Sequence, residues 1–163
     1  MKVIKDGRIV DDAWTLVADG EALPEGGHAI VSLARWNADR EALVAAGGPV
    51  GVVLRSSEQP GAIEDLGRAA LVAIDFPSFT DGRGYTSARL LRSRLGYEGE
   101  VRAIGDVLRD QLFFMKRCGI DSYAVKPGKD IEGALAAFRD FSVTYQAAAD
   151  DERPLFRRIR RGA

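Results

Sequence analysis

Apolar and polar positions along this chain change period several times, and the changes mark out its elements. Residues 2–5 and 8–10 are short β-type runs on either side of Asp6-Gly7, a dipeptide suited to a two-residue hairpin turn. Residues 15–17 add a third short run, so residues 1–20 read as a small β meander. Apolar stretches without clean alternation follow at 29–33, 50–54 and 70–75, as strands covered on both faces would show. Two more strands are predicted at 100–104 and 122–125. Between them the period lengthens. Helices are predicted at 38–46 with Asn37 as N-cap, at 63–68, at 84–95 closed by Gly96, at 107–118 closed by Gly119, and at 131–141 with Asp130 as N-cap. Leu108, Leu112, Met115 and Cys118 form one apolar stripe on the fourth of these.

Strands that alternate with helices predict right-handed β-α units and a mainly parallel sheet. The expectation is one α/β domain. Its five-strand β/α core over 29–141 forms either an open sheet or a half-barrel, the meander precedes it, and a basic tail at 150–163 follows. In both architectures the carboxyl ends of the strands are where ligands bind.

The composition prunes the chemistry. The 163 residues are 46% hydrophobic and 29% charged, an ordinary globular balance, and the net charge of -1 gives no general nucleic-acid footprint. No apolar run approaches the roughly 20 residues of a membrane-spanning helix, and the first ten residues contain no apolar signal core, so a cytoplasmic protein is expected. One cysteine, Cys118, and one histidine, His28, leave no disulfide, no CxxC pair, no four-cysteine iron–sulfur site and no His/Cys zinc site within these residues. Neither a metal nor a particular cofactor is indicated. Redox chemistry would need a bound organic cofactor or a partner protein.

On this layout Arg35, Arg55-Ser56, Asp75, Gly105-Asp106 and Lys126 fall at strand ends. Asp75 and Asp106, from neighbouring units, are candidates for acid–base work, or else cap the turns that follow them. The segment Thr80-Asp81-Gly82-Arg83-Gly84-Tyr85-Thr86 is the sharpest local motif. Its glycines permit close backbone approach at a helix start, and Arg83 offers a planar grip on an oxyanion. Tyr85 supplies a ring and a hydroxyl as a third catalytic candidate. Asp81, Gly82, Arg83, Gly84, Arg89 and Arg109 make up the candidate anion-binding set; a glycine-permitted turn capped by Asp81 is the structural alternative. Gly82, Gly84 and Ala88 depart from dinucleotide-binding spacing. The arginines at 153, 157, 158, 160 and 161 alternate with Leu155, Phe156 and Ile159, as a solvated tail or an amphipathic docking peptide would.

The stretch from Asp75 to Asp121, DFPSFTDGRGYTSARLLRSRLGYEGEVRAIGDVLRDQLFFMKRCGID, is similar to a family of bacterial proteins of unknown function usually described as probable oxidoreductases of sulfite reduction. The weaker part of the likeness takes in VVLRSSEQP. The resemblance implies a role in sulfur assimilation beside assimilatory sulfite reductase, with sulfite or sulfate as the small oxyanion. It supplies no settled catalytic residues. One cysteine cannot hold the iron–sulfur cluster of the six-electron reductase, so the implied role is an accessory one or a different step. Two rivals stand beside it: a docking partner of the reductase or its electron donor acting through the basic tail, and a flavin- or nicotinamide-using enzyme.

Overall fold

The computed structural model describes residues 1–158. Strands β1 (Lys2–Lys5) and β2 (Arg8–Asp11) pair antiparallel about Asp6-Gly7, the hairpin that the dipeptide predicts. The third strand departs from the expected meander. β3 (Trp14–Leu16) leaves its hairpin and pairs parallel with β4 (His28–Ser32) at the far edge of the sheet. A three-residue β run reveals extended backbone but not its neighbour, so the sequence could not make this distinction.

The rest of the chain alternates as predicted. After β4 come α1 (Leu33–Ala45), β5 (Val50–Leu54), β6 (Leu71–Phe76), α2 (Arg83–Ser93), β7 (Glu100–Gly105), α3 (Arg109–Arg117), β8 (Ser122–Tyr123), α4 (Ile131–Ala136) and α5 (Leu155–Arg158). Two 3-10 turns, Pro60–Ala62 and Leu66–Arg68, replace the helix predicted at 63–68. α1 starts earlier than predicted because Ser32 caps it, its Oγ accepting from the Arg35 amide at 3.1 Å.

The sheet order is β2-β1-β8-β7-β6-β5-β4-β3, with β3 to β8 parallel to one another and β1 antiparallel to both β2 and β8. Each parallel step goes to the adjacent strand in the same direction, so right-handed crossovers stack the helices on one face. On that face Val52, Val72, Ile74 and Val101 pack with Trp36 of α1, Leu91 of α2, and Leu112 and Met115 of α3. The opposite face carries a much smaller cluster of Ile30, Val53, Leu71 and Ala73, with Trp14 and Ile104 against it. Apolar side chains on both faces explain why these strands lack alternation in sequence.

Only Asp12 and Ala13 separate β2 from β3, although those strands are opposite edges of an eight-stranded sheet. Three Cα steps reach about 11 Å at most, so the sheet must curl until its edges approach. The result is an open, curled, mostly parallel half-barrel with helices outside. Arg102, 3% exposed on β7, fastens the linker: it pairs with Asp12 Oδ1 at 2.6 Å and with Glu100 Oε1 at 2.6 Å. Burial works against the Glu100 charge, but Lys5 and Arg102 hold its carboxyl below the usual range.

Candidate functional site at the carboxyl ends of the strands

Alternation along β6 puts Leu71, Ala73 and Asp75 on the concave face, with Asp75 at the carboxyl end opposite Ile104 of β7. Beside it β5 ends and hands over to Arg55, and β4 ends at Ser32. The segment from Val17 to Glu21 folds over these ends and closes a cavity of about 430 Å³. Two side chains hold that segment down. Ser32 Oγ donates to Asp19 Oδ1 at 2.7 Å, and Arg35 donates to the carbonyls of Ala18 at 2.9 Å and Glu21 at 2.7 Å.

Two groups in the cavity differ from all these. The Asp75 carboxylate accepts no hydrogen bond among the described residues; burial pushes its pKa up, and the nearby Arg55 charge opposes that. The Arg55 amide donates to Glu58 at 2.7 Å, but its guanidinium makes no ion pair or hydrogen bond among the described residues. Gly105 makes room for Asp75. Its φ is +92°, and a Cβ there would lie 2.5 Å from the Phe76 carbonyl oxygen and 2.7 Å from Asp75 Oδ1. A half-buried acid beside an unpaired cation, at the carboxyl edge of a parallel sheet, can bind an anion and move a proton.

The structure divides the other sequence candidates. Asp81 and Arg83 stand at the same end of the sheet but face each other: Arg83 Nε and one terminal nitrogen donate to Asp81 at 3.0 and 2.7 Å, and that nitrogen also reaches Ser56 Oγ at 3.1 Å. This pairing holds the Asp81 carboxyl far below the usual range. The Arg83 fork is therefore engaged by its own chain. Asp106 accepts from Lys126 at 2.7 Å and from the Phe79 amide at 3.2 Å, and so pins the 77–82 loop. Lys126 holds its pKa down.

Tyr85, Arg89 and Arg109 turn away from the cavity. The Tyr85 ring lies between Phe76 at 5.2 Å and Phe114 at 5.1 Å in the helix layer. Burial raises its hydroxyl pKa. Arg89 lines an outer groove with Cys118 and residues 146–148, and Arg109 donates to the Gly133 carbonyl and to Asp140. The two motif glycines also separate. Gly82 caps α2 and a Cβ there would touch only Tyr85, at 3.9 Å, whereas a Cβ on Gly84 would lie 2.6 Å from the Phe76 ring. Gly84 lets α2 lie close on β6, which is a packing role. Asp19, Glu21 and Ser32 escaped the sequence reading because nothing in it told that β3 carries residues 17–21 to this edge. Arg55 was legible at a strand end but lacked a motif.

A larger cavity, about 560 Å³, opens at the amino end of β8 around Arg92 and Asp121. Here the polar groups satisfy one another. Arg92 donates to the carbonyls of Gly119, Tyr97 and Gly99 and to Asp121 at 2.5 Å, while Asp121 also accepts from the Val101 amide. Burial pushes the Asp121 carboxyl up to about 6 against the pull of Arg92. In the basic tail, Arg153 and Arg158 pair with Asp151; Ile159, Arg160 and Arg161 lie outside the described residues. Among the described residues no helix is long and apolar enough to cross a membrane.

No curated protein matches the chain. Residues 51–156 match the family described as bacterial protein of unknown function (DUF934). Val53, Arg55, Asp75 and Ile104 fall inside the matched stretch; the covering segment and Ser32 precede it.

Proposed function

The chain belongs to the DUF934 family, and from that premise we propose that it is a cytoplasmic protein of assimilatory sulfite or sulfate reduction, an oxidoreductase or an accessory factor that holds a small oxyanion at the carboxyl-end mouth. One observation carries this reading: Arg55 and the half-buried Asp75, both without a side-chain partner among the described residues, share a cavity at the edge where parallel sheets bind ligands. In this reading Arg55 grips the anion with charge-assisted hydrogen bonds. Asp75, whose protonated form burial favours, donates to the anion or passes it a proton. Arg83 adds positive charge at the rim, weakened by Asp81. Cys118 is buried on the helix side and burial raises its thiol pKa, so electrons would come from an organic cofactor or a partner.

Calorimetry with sulfite tests the reading. Arg55→Ala should weaken binding at least tenfold, since a hydrogen bond to a charged group contributes about 1.5–3 kcal/mol. Arg83→Ala should cost less. Equal affinity in wild type and Arg55→Ala removes the proposal.

A second reading, docking onto sulfite reductase or its electron donor, draws on the C-terminal segment. Phe141, Val143, Tyr145 and Phe156 are all exposed there, and Arg157 lies over the Phe156 ring. Removal of residues 153–163 should abolish co-purification with the reductase while leaving sulfite affinity unchanged. Undiminished co-purification ends this reading.

A further inference from the structure

The mouth does not end at Asp75. A second cavity, about 280 Å³, runs along the concave face and shares Leu16 and Ile104 as walls with the first. Its other sides are Trp14, Ile30, Ala124, Val125 and Pro127. The polar groups on its floor, Asp12 and Arg102, are engaged with each other at 2.6 Å and offer a ligand nothing. Leu16, at the junction, is 61% exposed. The concave face thus carries an apolar arm that adjoins, at Leu16 and Ile104, a mouth whose Arg55 is unpaired among the described residues.

A bare sulfite or sulfate has no use for such an arm. It fills the space of two or three waters, at about 30 Å³ each, whereas each cavity alone approaches or exceeds the lower bound of about 300 Å³ typical of organic-ligand pockets. We propose, on the reading of the mouth as the working site, that the oxyanion held there is the head of a larger organic anion: an acidic group, such as a sulfonate, carboxylate or phosphate, held by Arg55, and an apolar body laid along Trp14, Leu16, Ile30 and Ile104. The charge of Arg55 selects the head, and the unpartnered apolar wall selects the body.

Calorimetry on the full chain with two probes, 1-naphthalenesulfonate and sulfite, decides the matter. The organic sulfonate should bind at least tenfold tighter than sulfite. Arg55→Ala should weaken it at least tenfold, and Leu16→Ser, at an exposed position, should weaken it severalfold with no loss of thermal stability. Sulfite binding should respond to Arg55→Ala, and to Leu16→Ser far less than the organic probe does. If sulfite binds as tightly as the organic probe, the organic-anion assignment fails and the mouth stands. If the organic probe binds but ignores both substitutions, the assignment also fails. If neither probe binds, the assignment and the mouth fall together.

Discussion

At the amino end of the sheet Arg92 donates to three carbonyls and a carboxylate, whereas at the carboxyl end Arg55 leaves β5 with a guanidinium that meets no partner among the described residues. The acids differ in the same way: Asp121 accepts from both Arg92 and the Val101 amide, and Asp75 from nothing among the described residues. Burial raises the pKa of both acids. Cavity size points to the amino end, but polar satisfaction points to the other. A saturated network ties loops together; unmet groups in a cavity leave work for a ligand.

The comparison breaks most readily through stability. Arg92→Ala strands Asp121 and three carbonyls, and should cost about 3 kcal/mol. For a domain of this size that lowers the melting temperature by roughly 6–12 °C. Arg55→Ala should stay within about 0.5 kcal/mol of wild type, as surface changes do. Equal losses in thermal unfolding would erase the distinction between the two arginines.

The glycines of the TDGRGYT segment sharpen it next. Gly84→Ala forces a Cβ against the Phe76 ring and should cost about 1–3 kcal/mol. Gly82→Ala, with φ at −84° and no close neighbour, should change stability by a few tenths of a kcal/mol. Denaturant midpoints of the two variants check this; similar midpoints would return Gly84 to a ligand-facing role.

Two smaller effects depend on pH. Sulfate, a dianion throughout the range where carboxyls titrate, should bind more tightly to wild type as pH falls into that range, because the raised pKa of Asp75 lets it become a neutral donor before an ordinary carboxyl would. Asp75→Asn should be flat over that range, and a slope that persists would assign the proton elsewhere. At the amino end, the folded-state pKa of Asp121 is raised to about 6 from an ordinary 3.8. The folded chain then binds the proton more readily than the unfolded one, so this group's contribution to stability grows as pH falls from about 6 toward 4 and is lost above 6. Wild type should gain melting temperature on Asp121→Asn when pH is lowered from 7 to 4.5. A gap independent of pH contradicts the assignment.

Much of the fold was legible because each strand–helix unit advertises itself locally. The Val50–Leu54 run is apolar because both its faces are covered, and the α3 stripe of Leu112, Met115 and Cys118 is visible at helical spacing. The path of β3 was not, since a parallel partner fourteen residues away leaves no mark in a three-residue strand. That one step hid half of the mouth: Leu16, Asp19 and Glu21 reach it only because the chain crosses to the far edge. Asp75 could be read from its place at a strand end. Tyr85 and Arg109 could not be placed, because whether a residue in the first turns of a helix faces the mouth or the helix layer depends on which neighbours it packs against, here Phe76 and Phe114 for one and Asp140 for the other.

The proposed ligand sits at the carboxyl ends of β4 to β7. Backbone amide shifts of the full chain, followed by NMR during titration with sulfite and with 1-naphthalenesulfonate, test this directly. Perturbations should gather on Ser32, Val53, Arg55, Asp75 and Ile104, and spare Arg92, Gly119 and Asp121. Shifts centred on that second group, or on residues 141–158, would contradict it.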